Sequence, residues 1–103
     1  MTPPSTAFHL YLDSADLGAL RTCLPHPVVH GVTTNPTLLK RAGVTWDALP
    51  GLLTTLLRLG AKQVQAQVRS PDVDGMLADA DALLHQFDPG QLVVKIPATR
   101  AGL

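Results

Sequence analysis

The chain has no glutamate: its 8 acidic residues are all aspartates, balanced by 8 lysines and arginines to a formal net charge of zero. No surplus of either sign draws it to nucleic acid or to an anionic membrane. The one cysteine, Cys23, rules out an internal disulfide and fits a reducing compartment. Two histidines, His26 and His30, follow it, but the spacing is not that of a zinc finger, and Cys23 reads as a core or helix-edge thiol. Apolar runs stay well short of the ~20 residues a membrane span needs. The opening MTPPSTAFHLYL lacks the basic stretch and long apolar segment of a signal peptide. Neither GxGxxG nor GxxxxGK follows any apolar run, so dinucleotide and P-loop chemistry are not indicated. Together these absences predict a soluble cytoplasmic protein with no nucleic-acid or membrane partner, no metal and no cofactor.

What is present suits a packed core. The composition is 46% hydrophobic and 16% charged over 103 residues, which predicts one domain spanning 1–103 rather than disorder. The apolar runs alternate between two lengths. Phe8–Leu12 is strand-sized; behind a Ser14 cap, Leu17, Leu20 and Leu24 recur at helical spacing until Pro25 and Pro27. Val28, Val29 and Val32 suggest a second strand interrupted by Gly31. Asn35-Pro36 is a cap and first-turn pair for a short helix. Thr45 is placed to cap a longer one with Leu49, Leu52, Leu53, Leu56 and Leu57 on its apolar face and Gly60 at its end. A third strand alternates over Lys62–Val68, and Ser70-Pro71 opens a helix lined by Met76, Leu77, Ala80, Leu83, Leu84 and Phe87. Asp88-Pro89-Gly90 turns the chain into a fourth strand, where Leu92, Val93 and Val94 read as buried on both faces.

Strands separated by helices predict a parallel α/β fold with right-handed crossovers. A flavodoxin-like open sheet and a (β/α)₈ TIM barrel both begin this way. The barrel is favoured because Asp13, Thr33, Thr34, Asn35, Gln67 and Lys95 all fall where strands give way to loops, the face that carries barrel active sites.

Lys95 poses the sharpest question, since a strand end otherwise apolar terminates in an ammonium group. Burying a lysine is costly unless something pairs or uses it, and the ordinary solution is a side chain whose tip snorkels to water. The chemical alternative is a lysine in a mostly apolar rim whose desolvated amine attacks a carbonyl. If the strand ends meet around one pocket, Lys95 stands beside Asp13 and Gln67. Asp13 is suited to moving a hydroxyl proton and Gln67 to orienting water, with Asn35, Thr33 and Thr99 holding substrate oxygens. The structural alternatives are a turn aspartate, a strand-end amide and a simple helix start at Thr33–Pro36.

LYLDSAD, GVTTNPTLL, QAQV, GMLADADAL and VVKIPATRAGL, in this order, resemble the small bacterial transaldolase family and its fructose-6-phosphate aldolase branch. The resemblance runs from His9 onward, and VTTNP paired with VVKIP is far more specific than either motif alone. It implies a TIM barrel in which Lys95 forms a Schiff base with a dihydroxyacetone unit of a sugar phosphate. It makes Asp13 the general acid/base, sets Asn35 near the bound three-carbon unit, and gives Thr99 the place of a pocket hydroxyl. Transaldolases usually carry glutamate where this chain has Gln67; an amide cannot take a proton as a carboxylate can, which leans the reading toward the aldolase branch. Family members are markedly longer, and this chain corresponds to their first four strand–helix units. The remaining half of such a barrel carries a tyrosine that assists proton transfer and a serine and arginine that bind phosphate. Tyr11, on the first strand and directed away from Asp13, is not a substitute for that tyrosine, and Arg100 reads as a helix-surface residue. A half barrel with open edges and an apolar inner face predicts a homo-oligomer. The competing reading is a truncated, inactive interaction module.

Overall fold

The computed structural model describes residues 9–97. Eight elements alternate along them: β1 (Leu10–Asp13), α1 (Leu17–Cys23), β2 (Val29–Thr33), α2 (Pro36–Arg41), α3 (Leu49–Arg58), β3 (Gln63–Gln67), α4 (Val73–Leu84) and β4 (Leu92–Lys95). The strands form one sheet in the order β1-β2-β3-β4, every pair parallel. This is the order expected of consecutive barrel units and excludes the 2-1-3-4 order of the flavodoxin-like alternative. None of the described helices is long and apolar enough to cross a membrane.

Helix starts follow hydrogen-bond acceptors, and three differ from the sequence reading. The α1 cap is Asp16, whose carboxylate accepts from the Ala19 amide at 3.2 Å; Ser14 supports it one step upstream by accepting from the Asp16 amide. At α4 the cap is Asp72 rather than Ser70, accepting from the Gly75 amide at 2.6 Å. Ser70 is held in the preceding loop by Asp79, which takes its amide. Thr45 closes only a turn, accepting from the Ala48 amide, and α3 begins at Leu49 with Pro50 in its first turn, where a missing N–H costs nothing. Asn35 caps α2 as read, accepting from the Leu38 amide at 2.9 Å. At Ser14 and Ser70 the cause is competition: a side-chain oxygen caps only if the surrounding loop leaves it free.

One face of the sheet is dry. Val32, Val64, Ala66 and Leu92 pack there against Leu20, Leu49, Leu53, Leu56 and Leu83 of the helices. Burial of each such leucine contributes about 1.5–3 kcal/mol, so this layer is the fold's main support. Gly60 ends the α3 turn at φ +117°, a conformation that glycine alone adopts freely, and a β-carbon there would lie 2.6 Å from Pro25. On α4 the apolar side is narrower than the sequence suggests. Met76 and Leu83 are buried, whereas Leu77 and Leu84 are about half exposed.

β2 carries one extra residue. Its register with β1 steps from Leu10↔Val29 to Tyr11↔Gly31, so His30 is unmatched, as in a bulge. Val29 and Val32 both enter the core even though they lie three residues apart, and His30 instead stacks with His9 and meets Tyr11 edge-on. Two further readings are corrected here. β4 is not buried on both faces, because Val93 is 38% exposed on the side without helices. Nor is that open face apolar: Tyr11, His30, Gln63 and Gln65 dominate it.

Candidate active site

On the open face, in-register neighbours point the same way, so the pairs Tyr11↔Gly31↔Gln63 and Asp13↔Thr33↔Gln65 cross the sheet as rows, and Gln67↔Lys95 forms a third. In the lowest row the Tyr11 hydroxyl donates to Gln63 Oε1 at 2.7 Å, reaching across Gly31. Only glycine permits this: a β-carbon at Gly31 would sit 2.2 Å from the Gln63 carbonyl oxygen and 3.0 Å from the Tyr11 ring. Gln65 Nε2 also donates to Gln63 Oε1, at 3.2 Å, and the Gln63 amide reaches back to the Gly90 carbonyl. The floor of the site is therefore a hydrogen-bonded amide network. Tyr11 lies on the same face as Asp13, two residues below it, and its hydroxyl is committed to Gln63; this corrects the expectation that it turns away.

The upper rows hold the residues singled out from sequence. Asp13 and Lys95 end the two edge strands, with β2 and β3 between them. They are connected through the end of β2. Thr33 Oγ1 donates to Asp13 Oδ1 at 2.7 Å, and Lys95 Nζ donates to the carbonyl of the next residue, Thr34, at 3.0 Å. Thr34 is fully buried and fixed by its own bonds to the Gln65 carbonyl, from its amide at 2.9 Å and its hydroxyl at 3.0 Å. The sequence places it with Thr33 at the strand-end rim; its part in the structure is that of an anchor.

Lys95 is half-buried, with Gln67 as its register partner and the Thr34 carbonyl at its tip, a polar setting rather than the apolar rim expected. Among the described residues no ion pair engages it. Asn35 spends its carbonyl oxygen on the α2 cap, leaving its amide nitrogen as donor. Thr99 and Arg100 lie outside the described residues.

Two groups above the site were missed from sequence. Asp79, on α4, accepts from the amides of Arg69 and Ser70 at 3.2 and 2.9 Å, and so ties down the loop that leaves β3 just beyond Gln67. Burial raises its pKa, but the Ser70 hydroxyl, the two amides and the charge of Arg69 outweigh that and hold it below the ordinary carboxylate value. Arg69 lies over the ring of Trp46, its Cζ 4.9 Å from the ring centre. A signal for Asp79 was present in GMLADADAL, as an aspartate on the inward side of its helix. The Arg69–Trp46 pair, 23 residues apart, had none.

The arrangement offers an amine, a carboxylate held by a hydroxyl, and an amide, all at the carboxyl ends of parallel strands. A family model described as Transaldolase/Fructose-6-phosphate aldolase matches residues 10–103. A probable transaldolase of Anaeromyxobacter sp. (strain Fw109-5) is 36% identical over 93 residues, covering 90% of this chain and 41% of that protein. Probable transaldolases of Thermoplasma acidophilum (33% over 94 residues) and Chlorobium chlorochromatii (34% over 98 residues) cover 91% and 90% of the chain and 41% and 43% of their own lengths. The chain spans about two fifths of the length of the curated relatives it matches. With the family model covering nearly all of it, the chain belongs to the transaldolase/fructose-6-phosphate aldolase family.

Proposed function

We propose that the chain is the lysine-bearing, amino-terminal half of a TIM-barrel Schiff-base aldolase or transaldolase, one domain over 1–103, acting on sugar phosphates such as fructose 6-phosphate. The observation that carries this is Lys95 at the end of β4, its Nζ drawn back toward the β2 loop by the Thr34 carbonyl and flanked by Gln67. In the proposed reaction the free amine of Lys95 adds to the ketose carbonyl carbon, and loss of water gives a protonated imine. That cation accepts the electron pair of the bond between its α- and β-carbons as that bond breaks, leaving an enamine on Lys95 and releasing the β-carbon as an aldehyde; protonation of the enamine carbon and hydrolysis then free the amine. The proton leaving the neighbouring hydroxyl goes to Asp13, which Thr33 orients, and Gln67 positions water for imine formation and hydrolysis. Asn35, Thr33 and Thr99 hold substrate oxygens. With Gln67 in place of a carboxylate, cleavage to free dihydroxyacetone is favoured over transfer.

The test is borohydride reduction in the presence of dihydroxyacetone or fructose 6-phosphate, followed by peptide mass mapping. The expected result is an adduct on the peptide containing Lys95, absent in Lys95→Ala, with turnover far below that of a full site because partial sites lose orders of magnitude. An adduct at Lys40 or Lys62 instead, or none, defeats the assignment.

A second reading, assembly without catalysis, draws on a different observation. β1 and β4 are open edges among the described residues, and Val73, Leu77 and Leu84 expose an apolar stripe on α4. Light scattering distinguishes it: a homo-oligomer that forms no imine favours the interaction module, and a stable monomer at micromolar concentration removes it.

A further inference from the structure

The peptide that joins β2 to α2 is anchored on both sides and leaves one acceptor for other use. The buried Thr34 hydroxyl donates to the Gln65 carbonyl at 3.0 Å, and the Thr34 amide donates to the same oxygen at 2.9 Å. Beyond the peptide, Asn35 is fixed as the α2 cap: its side chain accepts from the Leu38 amide at 2.9 Å and its carbonyl from the Leu39 amide at 3.0 Å. Between these anchors lies the Thr34 carbonyl, which no backbone amide of the described residues engages. Its donor is Lys95 Nζ, at 3.0 Å.

The other end of this contact is fixed as well. Lys95 closes β4, where its own carbonyl accepts from the amide of buried Val68 at 3.2 Å. Its side chain spans the end of β3, beside its register partner Gln67, and meets the end of β2 at its tip. A neutral lysine amine keeps two N–H groups and a lone pair, so it can attack a carbonyl while still donating to Thr34. Addition moves one of those hydrogens to the carbonyl oxygen, and a proton from solvent then releases that oxygen as water. The protonated imine left behind has a single N–H, which lies in the plane of the C=N bond. The enamine formed from it keeps that N–H, so the Thr34 carbonyl can hold it through both states. The bond is strongest in the cation, because charge-assisted hydrogen bonds are about twice as strong as neutral ones. A dipole already fixed in place also costs no reorganisation when the charge develops.

We propose that the main-chain carbonyl of Thr34 is a catalytic contact of Lys95: it accepts the N–H of the protonated imine, favours that cation and fixes the plane in which the bound ketone carbons lie. The Thr34 side chain acts one step back, as the positioning residue that holds the carbonyl. This rests on the Schiff-base reading above and adds to it a group that touches the reacting nitrogen.

The experiment is borohydride trapping of the 103-residue chain by subsaturating dihydroxyacetone, with adducts at Lys40 and Lys62 in the same sample as the internal reference. Thr34→Val keeps the side-chain shape and loses the hydroxyl. Thr34→Ser keeps the hydroxyl and loses a buried methyl, so both variants destabilise the fold but only one frees the carbonyl. An ester in place of the Thr34–Asn35 amide, made by ligating in the α-hydroxy acid analogue of Asn35, weakens the carbonyl as an acceptor and changes no side chain. Relative to the reference, the Lys95 adduct should form about tenfold more slowly in Thr34→Val, severalfold more slowly in the ester, and within about twofold of wild type in Thr34→Ser. Urea denaturation midpoints, measured alongside, should fall in both threonine variants. Trapping that follows those midpoints rather than the hydroxyl, or that is unchanged in the ester and in Thr34→Val, overturns the proposal and leaves the Schiff-base reading standing. No Lys95 adduct in the wild type defeats that reading and the proposal with it.

Discussion

The two faces of this sheet are written by alternating residues of the same strands, yet they are stabilised in different ways. On the helix side, Val64 and Ala66 of β3 are fully buried among leucines, held by non-directional packing. On the open side, Gln63 and Gln65 of the same strand share one carbonyl oxygen with Tyr11, held by directed bonds whose net worth is small but whose geometry is strict. A packed face supplies most of the stability and is indifferent to residue detail if volume is kept. A hydrogen-bonded face supplies little but fixes positions, which is what a site for carbonyl chemistry requires. The candidate side chains Asp13, Gln67 and Lys95 all top the second face.

This contrast can be broken most severely from the packed side. Leu53→Ala, at a fully buried position on α3, should cost about 2–5 kcal/mol. Urea denaturation should show a lower midpoint, and loss below about 1 kcal/mol would mean the layer relaxes far more than close packing allows. Gly31→Ala comes next. Its β-carbon meets the Gln63 backbone at 2.2 Å, which cannot move without disturbing the β2–β3 pairing. Destabilisation of about 1–3 kcal/mol or more is expected, accompanied by loss of the Tyr11–Gln63 bond; an unchanged denaturation midpoint would contradict the close approach.

On the bonded side the effects shrink. Tyr11→Phe removes a donor but leaves Gln63 Oε1 satisfied by Gln65, so about 1 kcal/mol or less is expected. The sharper readout is Lys95 trapping by dihydroxyacetone, which should fall by a larger factor than stability does if the network positions the site.

Two pH effects are smaller again. Asp79 has its folded pKa lowered, so its contribution is fully present above the unfolded value of about 3.9 and is lost as pH falls through the folded one. Asp79→Asn should therefore flatten the acid limb of stability measured by denaturation between neutral and acidic pH. His30 also has its pKa lowered, first by burial and then by the neighbouring charges of His9 and Lys62. Its neutral form is the one the fold favours, so stability should decline slightly as pH falls through and below about 6.5. The decline should vanish in His30→Gln, with the denaturation midpoint compared on either side of that pH.

Much of the fold was legible because its signals are local. Strand alternation in QVQAQV, the leucine spacing of α3 and the Asn35-Pro36 cap each depend on residues within one or two turns, and the folded chain uses them as read. Ser14 and Ser70 misled because capping is a competition among nearby side-chain oxygens, and Asp16 and Asp72 win it. The openness of β4 misled for another reason: a run of Leu92, Val93 and Val94 is equally good for a strand covered on one face or on two.

The sequence by itself determined the order of elements, the parallel sheet and the placement of Asp13, Gln67 and Lys95 at strand ends, since periodicity and spacing settle which residues share a face. Only the tertiary structure decided that Lys95 reaches Thr34 while Asp13 is held by Thr33, that His30 is the extra residue of β2, and that Arg69 rests on Trp46. The physical reason is range. Each of those contacts joins residues far apart in the chain, and their partners are chosen by strand register and by the room that a single glycine leaves, quantities set only when the whole sheet has formed.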